Sequence, residues 1–504
     1  MKKRILAALL ATLMASSALA ACSDTPADPA DSTAPAVQDS AADTTTAEVT
    51  TVDPTLADEL PTDKKFDNLN FIILSRDYGE GSVAWKVQDI YTAEENGERI
   101  NDAVFKRNLA LNERFGIVVK QDLAKDGRTE AEKRITAGEN SFTVIQEALD
   151  RQGPMIVGGF IMEMTPLKYL NFDKAWWDTD GVNGLSIAGK VFTAMGSGQL
   201  NAYKATWVSL FNKKLAKDAN LPDLYQVVRD GKWTLDKLLE YASATTKDLN
   251  GDGKMEWTVD RFGVGIENGV SIPLIMGTGT SLTKFNKDGS FELLIDSEEV
   301  AKAAEKIWSF YYSDSSTILN VEKLSGVTNR WVAYRSQFAS DNFGFMLTHL
   351  GTPTLIAGEM KSDFGILPFP KVYEAQEEYI SAIQYGNVHS LSIPKIAEDP
   401  DRTAMLIEAY QMYSHDTVRP AYYDYTLTLR ASRDNESAEM LDIIFANRNL
   451  DVSLLYNATT KAETTLTNIA KEPSSFTFAS TMAAQKATIK SNLDTVVKAV
   501  LNAD

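Results

Sequence analysis

Short apolar runs that read as buried strands alternate with helical stretches from residue 65 to residue 504, and this alternation limits the fold more than any other feature. Strands and helices in alternation build α/β layers with mostly parallel sheets. Asn70–Ser75 is a short apolar run of buried-strand type. A helix starting near Asn101 or Asp102, either of which can cap it, carries Ala103, Val104, Leu109 and Leu111 and ends at Gly116. Ile117–Leu123 then reads as a second strand, with further units through Phe142–Ala148, Lys190–Met195 and Phe364–Leu367. Helical patterns dominate the end of the chain, over Arg402–His415, Glu436–Ala446 and Ala479–Leu501. No internal repeat of roughly 20–50 residues is visible, which excludes a solenoid or propeller.

Composition removes several function classes. There are 50 Lys+Arg against 69 Asp+Glu, for a net charge of −19. Nucleic acid and anionic lipid surfaces both call for a basic face, so neither is expected as a partner. A single cysteine closes no internal disulfide and builds no multi-cysteine zinc site. Three histidines (His349, His389 and His415) are spread along the chain, so a His-rich metal centre is not expected either.

Met1–Cys22 has the layout of an export signal: Lys2, Lys3 and Arg4, then the apolar stretch Ile5–Met14, then small residues. The stretch falls short of the ~20 apolar residues that a membrane span needs. Leu19-Ala20-Ala21-Cys22 resembles the lipobox of bacterial lipoproteins, and the one cysteine of the chain occupies the position that motif lipidates. The expected organisation is a signal peptide over 1–21, a disordered acidic tether over 22–64, and a body over 65–504. The tether holds ten acids and one lysine and almost no large apolar residue, so it cannot offset its ordering entropy. The protein is expected at the cell membrane of a bacterium, lipid-anchored through Cys22, facing outward and with no other membrane contact.

Several segments of the body resemble the extracellular solute-binding proteins of bacterial ABC importers, in the carbohydrate-type, maltose-binding-protein-like group. These are Glu98–Asn108, Ala175-Trp-Trp-Asp178 with Leu185–Lys190, and Phe211-Asn-Lys213 with Tyr225 and Gly231–Asp236. Phe364–Lys371, Ser392–Lys395, Pro420–Asp424 and Arg433-Asp434 follow in the family's order. The resemblance implies a type II, two-lobed α/β fold that closes like a hinge on a ligand between the lobes. It places lobe 1 at about 65–198 and 330–390, and lobe 2 at about 199–329 and 391–504. Crossings are implied near Ser197–Asn201, Ser325–Trp331 and Tyr385–Ser392. It also implies a monomeric, non-enzymatic receptor that captures a carbohydrate, an oligosaccharide by preference, and hands it to importer permease subunits.

Asp248-Leu-Asn-Gly-Asp-Gly-Lys254 reads as the first half of an EF-hand-like loop. Asp248, Asn250 and Asp252, the Lys254 carbonyl and Glu256 offer oxygens to a structural calcium ion. Position 12 is Val259, and the closing carboxylate comes one residue late, at Asp260. The alternative is a solvated turn.

A sugar cleft needs aromatic platforms for ring faces and planar polar groups for hydroxyls. Tyr78 and Trp85 follow the first strand, at the end where α/β folds hold ligands. Trp176 and Trp177 are paired in a loop, and Tyr203 and Trp207 follow the first implied crossing. Asp341, Asn342 and Tyr385 complete the candidate ligand set, while His389 reads as a structural histidine. Thr143 stands where many relatives carry an acid, so an acidic sugar contact is not expected there. The rivals are a cell-surface carbohydrate-active hydrolase, a receptor for a non-sugar solute, and an adhesive lipoprotein. The sequence has no Gly-x-Ser-x-Gly elbow, His-Glu-x-x-His motif or P-loop, and no catalytic residue is assigned.

Overall fold

The computed structural model describes residues 53–428, 435–457, 461–468 and 475–503. The signal peptide, Cys22, the tether as far as residue 52, and the Arg433-Asp434 motif lie outside the described residues. Order begins earlier than the expected boundary at residue 65. Leu60 is buried in the core, Arg114 grips Asp58 with both guanidinium ends at 2.6 and 3.2 Å, and Lys174 Nζ pairs with Glu59 at 2.8 Å. One apolar anchor and two ion pairs hold a segment whose composition alone reads as unstructured.

In the first sheet, β1 (Leu69–Arg76) lies parallel to and between β2 (Ile117–Ala124) and β3 (Val144–Ala148). The helix joining β1 to β2, Arg99–Phe115, buries Val104, Leu111 and Phe115 and is capped by the Glu98 side chain. It stops at Gly116, whose φ of 64° only glycine takes freely; a Cβ there would stand 1.9 Å from the Phe66 carbonyl.

The chain then enters a second sheet. It contains β4 (Trp207–Asn212), β5 (Phe262–Ile266), β6 (Ile318–Asn320), β7 (Phe343–His349) and β8 (Phe364–Pro368), in the spatial order β8-β4-β7-β5-β6. Finally β9 (His389–Ser392) returns to the first sheet and pairs antiparallel with β3. Both sheets are mixed: β5 is parallel to β6 and β7, while β4 is antiparallel to both its neighbours. Lys190–Met195 makes no ladder; Ala194 forms only an isolated bridge to Leu391.

These pairings correct the expected lobe boundaries. The stretch 343–368 belongs to the second sheet, because β7 and β8 flank β4 there. Conversely β9 and the helix Pro400–Asp416 belong with the first: Met405 and Leu406 share a core with Phe71, Ile73 and Leu391. The segment Ser325–Trp331 runs between β6 and β7 of one sheet, so it is no crossing. Ser197–Asn201 lies between the Ala194 bridge of the first sheet and β4 of the second. Gln384–Val388 likewise lies between Ile383, bridged to Thr206, and β9.

The Gly196–Leu200 crossing has a buried polar lining. Gln411 Oε1 accepts from Gly198 N at 2.7 Å, Gln199 Oε1 from Gly196 N at 3.0 Å, and Asp89 Oδ2 from Leu200 N at 2.6 Å. Buried backbone donors without partners would be costly, and these side chains satisfy them up to the start of the short helix Leu200–Lys204. Among the described residues, no helix is long and apolar enough to cross a membrane.

Candidate functional site

A cavity of about 320 Å³ lies where strand ends of the two sheets meet. From the first sheet come Arg76, the last residue of β1, and Tyr78, Ala84 and Trp85 of the loop after it. From the second come Glu267, just after β5, and Thr348 and His349 at the end of β7. The helix Arg330–Ala339 adds Trp331, Tyr334 and Arg335, and the return segment adds Gln384 and Asn387. Ligand sites of α/β folds lie beyond the carboxyl ends of strands, and both sheets contribute such ends here.

Rings organise this space. His349 and Trp207 are cross-strand partners on β7 and β4, with ring centroids 4.0 Å apart, and Trp85 meets the same imidazole edge-on at 5.3 Å. Burial pushes His349 down to about 3, so it is a neutral ring at physiological pH. Tyr78 stacks on His389 at 5.5 Å, their Oη and Nε2 2.8 Å apart, and the Arg76 guanidinium lies 4.8 Å from the Tyr78 ring. Trp331, 38% exposed, stands at the cavity rim. Among the described residues Glu267 is the one carboxylate on the wall; burial pushes it up to about 8, Glu322 pushes the same way, and Arg330 opposes both.

Of the expected ligand residues, Tyr78 and Trp85 line this cavity. The others are placed elsewhere. Trp176 and Trp177 are buried and both donate their indole N–H to Glu408, at 2.8 and 2.9 Å. Trp207 sits behind His349 as sheet core, and Tyr203 packs against Tyr422, Phe445 and Arg448. Asp341 takes a left-handed φ of 62° and fastens Asn212 and Ser362, while Asn342 bonds Gln337; both close the turn before β7. Tyr385 is buried, and its neighbours Gln384 and Asn387 face the cavity.

Glu267, Trp331, Arg335, Thr348 and His349 were not among the sequence candidates, nor was Arg76. Three of these, Arg76, Glu267 and His349, end or directly follow a strand, the same signal that pointed to Tyr78. At Glu267 and His349 that signal depends on β5 and β7, strands that are not among the sequence expectations above.

In the Asp248–Asp260 loop the acceptor side chains bond the loop's own backbone. Asp248 accepts from Gly251 N at 2.6 Å and Gly253 N at 2.8 Å, Asn250 from Asp252 N, and Asp252 from Lys254 N. Asp260 is fully buried, its two oxygens taken by Leu249 N and Glu256 N at 2.8 Å each. Among the described residues no group of three or more His, Cys, Asp or Glu is placed to hold a metal ion. Bonds of this kind suit a solvated turn and a cation loop alike, and a thermal melt separates the two: a calcium-dependent rise marks the calcium site, and no change with EDTA or with millimolar calcium marks the turn.

No family model matches the chain, and no curated protein matches it. Solved structures do. An ABC substrate-binding protein of Listeria monocytogenes, solved with cycloalternan, superposes with a TM-score of 0.51 at 12% identity over 86% of this chain and 99% of its own. The GacH receptor of Streptomyces glaucescens, solved unliganded and with acarbose, gives 0.51 at 12% over 87% and 100%. A sugar transporter of Rhizobium etli in an open conformation gives 0.54 at 14% over 87% and 100%. At such identities the likeness speaks for the fold, and the chain has the two-lobed, type II periplasmic-binding-protein-like fold.

Proposed function

We propose that the protein is the solute receptor of an ABC importer, that it binds a carbohydrate between its lobes, and that it does no chemistry on it. The observation that carries this reading is the cavity wall. Tyr78, Trp85 and Trp331 contribute aromatic surface alongside Gln384, Asn387, Thr348 and Arg335, the mixture that sugar rings edged with hydroxyls require. The two bridging segments beside the cavity provide the hinge. The proteins of the same fold solved with cycloalternan and acarbose support the sugar class. A hydrolase would work through two carboxylates flanking the bond, and the described wall offers Glu267 alone. Anchoring through Cys22, delivery to permease subunits and a monomeric state belong to the same proposal.

Trp331 tests it cleanly, because a side chain 38% exposed can be removed without opening the core. Trp331→Ala is expected to weaken binding of the cognate glycan about tenfold, or about 1.4 kcal/mol, with the melting temperature unchanged. Calorimetry of the protein against a panel of mono- and oligosaccharides reads this. The reading is lost if no glycan binds while a peptide or polyamine does.

A further inference from the structure

We infer that the solute is an acidic sugar, whose carboxylate is held between Arg76 of the first lobe and Arg335 of the second. This inference rests on the receptor reading above and narrows its substrate class. Both guanidiniums line the cavity, one at the end of β1 and the other on the helix Arg330–Ala339 across from it. Arg76 Nε is buried with no hydrogen-bond partner. Its one ring contact among the described residues is with Tyr78, and the opposing charge near it comes from Glu147 and Asp126, neither of which pairs with it. Glu147 Oε2 is itself buried and unbonded, and its other oxygen is taken by Ala148 N. Arg335 makes no ion pair or hydrogen bond among the described residues; burial lowers its pKa, with only the field of Glu359 opposing.

Two poorly compensated cations on one small cavity are expensive to keep. A charge taken out of water needs a partner and hydrogen bonds to offset the loss of solvation. Elsewhere in this chain that need is met within the protein: Arg114 is answered by Asp58, Arg134 by Asp122, and Arg448 by Asp178. At the cavity it is left to the ligand. The one carboxyl of the described wall, Glu267, does not supply the missing charge, since burial keeps it protonated at neutral pH and makes it a donor. The cavity is thus locally cationic in a protein whose net charge is −19. The planar fork of a guanidinium matches a carboxylate with two parallel bonds. Because the two forks sit on different lobes, one carboxylate between them would also draw the lobes together.

The test is titration calorimetry of the full chain at neutral pH. The probes are uronate oligosaccharides, each paired with its carboxyl-reduced neutral counterpart and with a sulfated glycan of the same length. A uronate is expected to bind at least tenfold tighter than its reduced partner. Arg335→Gln is expected to erase that preference, so that the uronate and its reduced partner bind within twofold of each other, with the melting temperature unchanged. Arg76→Gln serves as the second variant, on the opposite lobe. Equal or tighter binding of the neutral glycan overturns the inference and leaves the sugar receptor standing. Preference for the sulfated glycan overturns the carboxylate. Failure of every glycan, acidic and neutral, removes the receptor reading and this inference together.

Discussion

Arg107→Ala is expected to lower the unfolding free energy by about 4 kcal/mol, within the range for breaking a buried charge cluster, and to weaken solute binding as well. Arg107 has no exposed surface. Its two terminal nitrogens donate to the carbonyls of Asp89 and Ile90 at 2.7 Å each, one of them also reaching Ser414 Oγ at 3.2 Å. The guanidinium also lies 4.1 Å from the Tyr410 ring, whose hydroxyl donates to the same Asp89 carbonyl at 2.9 Å. One side chain thus ties the helix Arg99–Phe115 and the helix Pro400–Asp416 to the far end of the loop that carries Tyr78 and Trp85. Truncation strips two buried carbonyls of their shortest donors, leaving Asp89 O with Tyr410 Oη at 2.9 Å and Ile90 O with Asn108 Nδ2 at 3.1 Å, and opens a cavity where the guanidinium was. Lysine rescues only in part, because its ammonium lacks the planar fork that reaches both carbonyls while lying on the Tyr410 ring. Urea titration gives the stability, and calorimetry with the cognate glycan gives the coupling to the cleft. Full stability in Arg107→Ala would show that the loop is held by its other contacts.

That cluster also shows where the sequence stops being legible. Local signals served well: the run at 70–75, the stop at Gly116, and the helices over 402–415, 436–446 and 479–501 all have counterparts within a few residues. Each depends on near neighbours in the chain, through periodicity or a required φ. Lobe membership depends on which strand pairs with which. The fact that β7 and β8 flank β4 is invisible in a run such as Phe364–Leu367, whose apolar pattern suits either sheet. The site divided in the same way. Tyr78 and Trp85 were readable from their position after a strand. Trp176, Trp177 and Trp207 present the same residue type in similar loops or strand starts, and only tertiary packing turns them inward. Arg76 and Arg335 stand at positions 76 and 335, and their approach to one cavity is a product of the fold alone.

The paired tryptophans carry the second large effect. Glu408→Ala is expected to cost about 4 kcal/mol near pH 4.5, because two buried indole N–H groups lose their acceptor at once. Glu408 is 2% exposed, accepts from Trp176 at 2.8 Å and from Trp177 at 2.9 Å, and closes the core beneath the helix Pro400–Asp416. Burial pushes its carboxyl up to about 7, against the pull of both indole bonds and of Lys174. A carboxyl raised in this way keeps a proton in the folded state that the unfolded chain releases. Wild-type stability therefore falls as pH rises from about 4.3 to about 7, by up to about 3 kcal/mol. The alanine variant has no such proton to lose, so its deficit is largest near pH 4.5 and shrinks towards pH 7.5. Glu408→Gln keeps the shape and one acceptor but turns an N–H donor towards the second indole, and its cost at pH 4.5 is expected to fall between wild type and alanine. Urea midpoints for the three proteins at pH 4.5, 6 and 7.5, read by tryptophan fluorescence, decide the matter. A deficit that stays constant or widens with pH would mean that the two indoles hold Glu408 ionised, and that the charge under them is stabilising.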